Sequence, residues 1–456
     1  MRYVSTRGHG PVGFSEVLTG GVAPDGGLYL PESWPEVGIE PEWRDLGFVE
    51  VVARVLLPFV EPFFGLNDLR AMAGAAYADF RDPAIAPIDE LWEGVHLLDL
   101  TKGPTLSFKD YALALVGRML DAALEAADEH ATVLGATSGD TGSAAIAALA
   151  GLDRVRVVMM HPEGRISEVQ RRQMTTVDAE NVENLAVRGT FDDCQDLVKA
   201  AFGDEALSSS HRLVAVNSIN WARIVAQAAY HVWAATRVGS PGTAIVTAVP
   251  SGNFGNAYAA HVAATVGAPI AQVVVATNAN NRLATFLDAG NLEIGEVVAT
   301  HAPAMDIQVP SNLERLVFEL LGRDGAAVAD LMDRYRRTGT LRVSSDALAQ
   351  IRSRFVAGWM GDEAVIGAIA DTHQRSGRLV DPHTAIGLAI GQVLATRPGA
   401  PLVAVATADP AKFPEAVELA TGIRPRLPAD LADLLERPER FEVIDPSLDR
   451  LAELLG

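Results

Sequence analysis

Four segments of the chain combine reactive or ligand-gripping side chains with glycine, and each falls where a β-rich run passes into a helical one. The first is Gly103-Pro104-Thr105-Leu106-Ser107-Phe108-Lys109-Asp110. Ser107 and Asp110 have capping-box spacing, which predicts Ser107 as an N-cap and puts Lys109 in the first helical turn. A lysine there is locally unfavourable, because the positive end of the helix dipole repels a cation by ~0.3–1 kcal/mol. The same field favours the neutral amine that Schiff-base chemistry requires. A solvated surface lysine fits this turn equally well, so both readings stay open on these residues alone.

The second segment, Leu134-Gly135-Ala136-Thr137-Ser138-Gly139-Asp140-Thr141-Gly142-Ser143, sets hydroxyl residues and glycines ahead of a helix. Free N–H groups in such a turn suit a carboxylate or phosphate. It matches neither G-x-G-x-x-G nor a P-loop. The third, Pro250-Ser251-Gly252-Asn253-Phe254-Gly255-Asn256, is again Gly-rich, with asparagines able to donate. Two such loops in one chain imply a ligand with two anionic ends, or two anionic ligands together. In the fourth, Ala404-Val405-Ala406-Thr407-Ala408-Asp409-Pro410, Thr407 ends a buried strand; its hydroxyl can reach into a crevice or cap the backbone.

Other constellations are weak. The ten histidines show no paired metal spacing, and no G-x-S-x-G elbow occurs. Asp381-Pro382-His383-Thr384 offers either a catalytic histidine or an ordinary helix start.

The elements that must position these turns alternate. Short β-rich runs at 96–100, 132–135, 155–160, 185–187, 213–216, 244–249, 272–276 and 402–406 are separated by amphipathic helices such as 111–126, 221–237 and 257–266. That rhythm means βαβ units, a mostly parallel sheet and helices on both faces. Ligands then belong at the carboxyl ends of strands, where strand order reverses. Residues 1–90 lack the rhythm, and their densest turn signal, Gly20-Gly21 through Asp25-Gly26-Gly27, predicts a separate cap or accessory domain.

The 456 residues are enough for two or three domains, and 49% apolar with 21% charged residues is an ordinary globular balance. A net charge of −21 repels phosphate backbones and argues against a nucleic-acid partner. The one cysteine, Cys194, cannot form an internal disulfide and lies among carboxylates that disfavour a thiolate, which predicts a packing role in a reducing compartment. Residues 1–7 have no apolar leader, and no long apolar run is free of Gly, Pro, Asn or charge; a cytoplasmic chain without membrane spans is expected.

Together the turns resemble the threonine synthase family, pyridoxal-phosphate enzymes of fold type II. The likeness follows the family's order along most of the chain. It runs through Ser5-Thr6-Arg7, Asp25-Gly26-Gly27-Leu28-Tyr29-Leu30-Pro31, Phe108-Lys109-Asp110, Thr137 to Gly142, Asn217-Ser218-Ile219-Asn220, Ser251 to Asn256, Asp381-Pro382-His383, and Thr407 with Pro410-Ala411-Lys412-Phe413. The resemblance implies an α/β fold of two doubly wound, mostly parallel-sheet domains with an N-terminal accessory domain. Its expected divisions are 1–90, a lysine and substrate domain over 91–240, and a cofactor-phosphate domain over 241–456.

The resemblance also implies residue roles. Lys109 carries pyridoxal 5'-phosphate and is the catalytic base. Gly252, Asn253, Phe254, Gly255 and Asn256 cradle the cofactor phosphate. Asp140 meets the cofactor ring; Thr137, Ser138, Gly139 and Thr141 surround the substrate carboxylate. Asn217, Ser218, Asn220 and Arg223 grip the substrate phosphate, and Thr407 faces the pyridine nitrogen. Lys102 and Asp409 depart from the family's usual histidines; the first is a candidate phosphate contact, the second a competitor of Thr407.

The implied reaction takes O-phospho-L-homoserine and water to L-threonine and phosphate, the last step of threonine biosynthesis, in a monomer or homodimer. The alternatives are a phospholyase releasing 2-oxobutyrate from the same substrate, and a non-catalytic α/β ligand-binding protein.

Overall fold

A strand covered on both faces must be apolar almost throughout, and the run from Val155 to Pro162 is buried at every position but one. Strands of this kind organise the molecule. The computed structural model describes residues 1–215, 218–239 and 242–456. The chain opens with β1 (Tyr3–Ser5), α1 (Phe14–Gly20), β2 (Tyr29–Pro31), α2 (Phe48–Val60) and α3 (Leu66–Ala76). It continues through β3 (Ile88–Trp92), β4 (Val95–Asp99), α4 (Lys109–Ala127), β5 (Ala131–Ala136), α5 (Asp140–Leu149), β6 (Val155–Pro162), α6 (Glu168–Thr175), β7 (Val182–Val187), α7 (Phe191–Gly203), α8 (Glu205–Ser210), β8 (Leu213–Ala215) and α9 (Trp221–Val238). Then come β9 (Ile245–Pro250), α10 (Gly255–Thr265), β10 (Ile270–Thr277), α11 (Arg282–Ala289), β11 (Asn291–Glu293), α12 (Leu313–Leu320), α13 (Gly325–Thr338), β12 (Thr340–Arg342), α14 (Ser345–Arg354) and β13 (Phe355–Trp359). The last elements are α15 (Asp362–Ser376), α16 (Pro382–Leu394), β14 (Leu402–Ala406), α17 (Pro414–Thr421), β15 (Glu442–Ile444) and α18 (Leu448–Leu455).

Among the described residues the strands form two large sheets. One is wholly parallel, in the order β15-β7-β6-β5-β8. The other runs β13-β10-β9-β14-β4-β3 and is parallel except for the edge pair β3–β4. The chain therefore does not divide by sheet at residue 240. β3 and β4 join strands that lie past residue 245, and β15 returns to the sheet built from 131–215. A buried parallel strand takes the neighbour that covers its hydrogen-bonding edge, whatever the distance in sequence.

α9 packs against α2, α4 and α10 and is buried at every residue from Trp221 to Ala235. The N-terminal unit is accessory to this helix. Tyr3 packs its ring 6.3 Å from that of Trp221, and Phe48 lies 5.4 Å from Trp233, so both join the largest hydrophobic core with α4, α9 and α10. No helix among the described residues is long and apolar enough to cross a membrane. Cys194 is buried in a smaller core, and burial, with Asp193 beside it, pushes its thiol up to about 11.

Candidate active site

The carboxyl ends of β4, β5, β9 and β14 and the start of α9 converge on one cavity. Its walls include Phe108, Lys109, Asp140, Thr141, Ser218, Arg223, Gly252, Asn253, Gly255, Asn256 and Thr407. Strand order reverses between β5 and β8 and between β9 and β14, so the cavity occupies the place that parallel-sheet topology favours for ligands.

Lys109 is the first residue of α4. Ser107 does not cap this helix; its hydroxyl is buried without a partner among the described residues, and Asp110 turns back to accept the Thr105 N–H at 2.8 Å and the Thr105 hydroxyl at 2.5 Å. The loop is stitched to the end of β14 by Phe108 N–H to Thr407 O (3.0 Å) and Asp409 N–H to Leu106 O (3.0 Å). That stitching brings Thr407 to the lysine's side of the cavity. Lys109 Nζ stands 3.3 Å from Asp140 Oδ2, and its side chain is 13% exposed. Burial, with the positive charges of Lys412 and Arg223, holds the Lys109 amine below the ordinary lysine range against the pull of Asp140.

Asp140 begins α5. Its Oδ1 accepts from Gln170 Nε2 at 2.8 Å and from Lys412 Nζ at 2.7 Å. Burial raises the carboxyl, but Lys412 and Lys109 outweigh it and hold Asp140 far below the usual carboxylate range. Gly139, at φ +138°, lets Gln170 come so close that a Cβ would lie 2.5 Å from its amide. Thr141 lines the cavity, whereas Thr137, Ser138 and Gly139 do not. The Thr137 hydroxyl accepts the N–H groups of Gly139 and Gly142 (3.0 and 2.9 Å), and Ser138 is exposed.

The third loop is a ready anion cradle. Gly255 opens α10, and Phe254 before it takes the left-handed conformation (φ 64°). Its ring is buried 5.5 Å from that of Phe355, so Phe254 offers the turn its backbone and no cavity contact. A Cβ on Gly252 would sit 2.8 Å from Ala304 O and 3.0 Å from Met305 Cα. Asn256 Oδ1 accepts from Tyr230 (2.7 Å) and His231 Nε2 (2.9 Å), which leaves its buried Nδ2 without a partner among the described residues. Burial pulls His231 down to about 4, so the ring is neutral and carries its proton on Nε2. An orphaned amide donor beside helix-terminal N–H groups fits a phosphate. With a lysine amine across the same cavity, the residues fit pyridoxal phosphate.

The fourth wall carries cationic recognition. Arg223 lies in the first turn of α9 beyond the N-cap Asn220, and burial pulls its guanidinium down to about 10. Ser218 reaches the cavity. Asn220 does not; its Oδ1 caps α9 at Ala222 N–H and its Nδ2 donates to Leu18 O. Asn217 lies outside the described residues.

Two departures from the family pattern have structural roles. Lys102 pairs with Asp99 at 2.8 Å and is absent from the cavity wall. Asp409 caps the short turn at Pro410–Lys412 through Ala411 N–H (2.8 Å), and burial raises its carboxyl. His383 lines the cavity with a defined tautomer. Its Nε2 accepts the Ala304 N–H at 3.2 Å, so Nδ1 holds the proton toward Asp381 Oδ2 at 2.7 Å. Sequence reasoning did not single out Gln227, Ala304 or Met305, which also line the cavity, nor Gln170 behind it; it quoted Ser251 and Lys412 within their motifs without giving either a role.

Known proteins agree with this geometry. The sequence family described as "Threonine synthase N terminus" matches residues 2–77, "Pyridoxal-phosphate dependent enzyme" matches 89–335, and "Threonine synthase, C-terminal" matches 384–455. A threonine synthase of Pseudomonas aeruginosa is 44% identical over 99% of this chain and 97% of its own. The crystal structure of PLP-bound threonine synthase from Brucella melitensis superposes with a TM-score of 0.96 at 44% identity, covering 100% of this chain and 98% of that one. Yeast threonine synthase superposes at 0.92 with 33% identity over 99% and 97%.

Proposed function

The chain belongs to the threonine synthase family of pyridoxal-phosphate-dependent enzymes, and we propose that the cavity around Lys109 converts O-phospho-L-homoserine and water to L-threonine and phosphate. One observation carries the reading: a lysine amine held below its ordinary range shares a cavity with a glycine-built anion cradle and a buried arginine.

The cofactor, when bound, supplies an aldehyde for amine exchange and a sink for negative charge developing on the substrate carbons. The protein supplies position and protons. Lys109 would hold the cofactor and, as a free neutral amine, would be the base for the substrate Cα proton and serve the later transfers at Cβ and Cγ. The N–H groups of residues 252–256 and the Asn256 amide hold the cofactor phosphate. Arg223 and Ser218, with Asn217 as a further candidate, bind the phosphate that leaves, and a planar guanidinium suits its paired oxygens; Asn220 acts behind them as the cap of α9. Thr141 on the cavity wall receives the substrate carboxylate, while Thr137, Ser138 and Gly139 shape the turn behind it, the Thr137 hydroxyl tying down the N–H groups of Gly139 and Gly142. Thr407 on the cavity wall would offer the cofactor ring a neutral hydroxyl; unlike a carboxylate it would not hold the ring nitrogen protonated, which would favour elimination and addition over transamination. Asp409 is engaged in its turn cap and does not compete.

The reading extends to organisation: an accessory unit over 1–90 and two α/β halves that exchange β4 and β15 across the 240 boundary. It also includes a cytoplasmic monomer or homodimer, supported by the single buried cysteine. The test is the visible spectrum with pyridoxal phosphate, before and after O-phosphohomoserine, with both products assayed. Threonine and phosphate formed one to one, and both lost in Lys109→Ala, are expected. Phosphate with 2-oxobutyrate would assign a phospholyase. Absence of a lysine-bound cofactor band would replace catalysis with ligand binding.

A further inference from the structure

The chain has four lysines, Lys102, Lys109, Lys199 and Lys412, among 37 basic residues. Two of the four meet on one carboxylate. Lys412 is wholly buried, 2.7 Å from Asp140 Oδ1, and donates as well to Thr105 O at 2.8 Å. Lys109 is 3.3 Å from Asp140 Oδ2 and has the Phe108 ring 4.8 Å away.

The two contacts are unequal. Charge-assisted N–H···O bonds run to about 2.7–2.9 Å, so the Lys412 contact has that length and the Lys109 contact is a longer, weaker one. Lys412 also has a second acceptor and no route to water. Lys109 stands at the first position of α4, where the helix dipole opposes a cation. The other groups around the pair are few. Arg223 on α9 is a third cation on the same cavity, while Asp110 on α4, buried, accepts from Thr105 and faces the charge of Lys412 rather than that of Lys109. His383 on the cavity wall accepts the Ala304 N–H at Nε2 and turns Nδ1 toward Asp381, away from the two lysines. Gln170 on α6 adds a donor to Asp140 without adding charge.

We propose that Lys412 is a positioning residue that takes Asp140 as its own ion-pair partner, so that the Lys109 amine is left uncharged beside that carboxylate whenever it is free. The space between Asp140 and Thr105 O holds a positive charge at the end of a straight stem, in a chain that carries most of its cations as arginine. The inference rests on Lys109 being the working amine. It adds that Asp140 alone would turn that amine into an ammonium, and that Lys412 prevents it.

The test reads Lys109 directly. Cofactor-free protein is labelled with trace acetic anhydride from pH 6 to 10, and each lysine peptide is quantified by mass spectrometry with exposed Lys199 as the internal reference. Lys412→Met should raise the Lys109 midpoint by at least one pH unit and move the acid limb of kcat/KM the same way in the loaded enzyme. Lys412→Arg, which keeps the charge, should restore most of the shift. Lys412→Met with Asp140→Asn should return the midpoint toward that of the parent, which a merely structural role would not do. If Lys412→Met does not fold, Lys412→Gln, which keeps a donor toward Thr105 O, takes its place. An unmoved Lys109 midpoint in a folded neutral variant overturns the proposal, as does an equal shift in Lys412→Arg. Failure of the functional reading looks different: turnover would survive in Lys109→Ala, whatever the labelling shows.

Discussion

Gly252→Ala puts one methyl group into the cradle. Its backbone φ is one that any residue adopts, so the substitution reads space alone. The new Cβ would lie 2.8 Å from Ala304 O, 2.9 Å from Ile307 Cδ1 and 3.0 Å from Met305 Cα. The isoleucine methyl can swing away; the two backbone atoms cannot, because Ala304 N–H is held by His383 Nε2 at 3.2 Å. Relief must come from the 252–256 turn itself, at the ~1–3 kcal/mol usual for overpacking. A displacement of a few tenths of an ångström misaims at least one N–H from the cofactor phosphate. Hydrogen bonds to charged groups contribute about 1.5–3 kcal/mol, so the Kd for pyridoxal phosphate should rise about 10- to 150-fold. The assay is absorbance titration of cofactor-free protein, with Gly74→Ala as the control, since a Cβ there meets nothing within 4 Å. If Gly252→Ala binds the cofactor as tightly as its parent and melts at the same temperature, the cradle is misassigned.

Three further outcomes follow from the same structure. Arg223→Met should lower kcat/KM for the phosphorylated substrate by at least about 30-fold, given ~2–5 kcal/mol for truncating one side of a buried charge pair, while cofactor affinity changes little. Steady-state kinetics beside a cofactor titration checks it. Arg70 and Arg54 hold the Glu50 carboxyl down to about 2, so ionised Glu50 stabilises the fold above its unfolded value near 4.3, and the stabilisation is lost as pH falls toward 2. Glu50→Gln should therefore cost about 1–2 kcal/mol at pH 7, after allowing for solvent around the arginines, and less at pH 3, as read from thermal melts. Cys194, buried with its thiol raised to about 11, should resist Ellman's reagent at pH 8 until denaturant is added; rapid reaction of the native protein would contradict the packing role.

The expected strands and the long helices were legible because buried parallel strands read as apolar runs and α9 as a long helical stretch. Chemistry was legible where a residue conflicted with its local surroundings, as Lys109 does at the start of α4. Illegible were the features made by distant segments. Nothing near residue 170 or 412 says that both side chains meet Asp140, and nothing near residue 95 or 442 says which sheet those strands will join. The Ser107 expectation failed for a related reason. Asp110 found a better-placed partner in Thr105, two residues further back, and left the serine hydroxyl buried without one among the described residues.

The central claim is that Lys109, and not the other buried lysine on Asp140, carries the cofactor. Borohydride reduction of the pyridoxal-phosphate-loaded protein followed by peptide mass mapping tests it most directly, because only four lysines compete. The cofactor mass should appear on Lys109 alone and disappear in Lys109→Ala. Its appearance on Lys412, or retention of the label and of turnover in Lys109→Ala, would contradict the account.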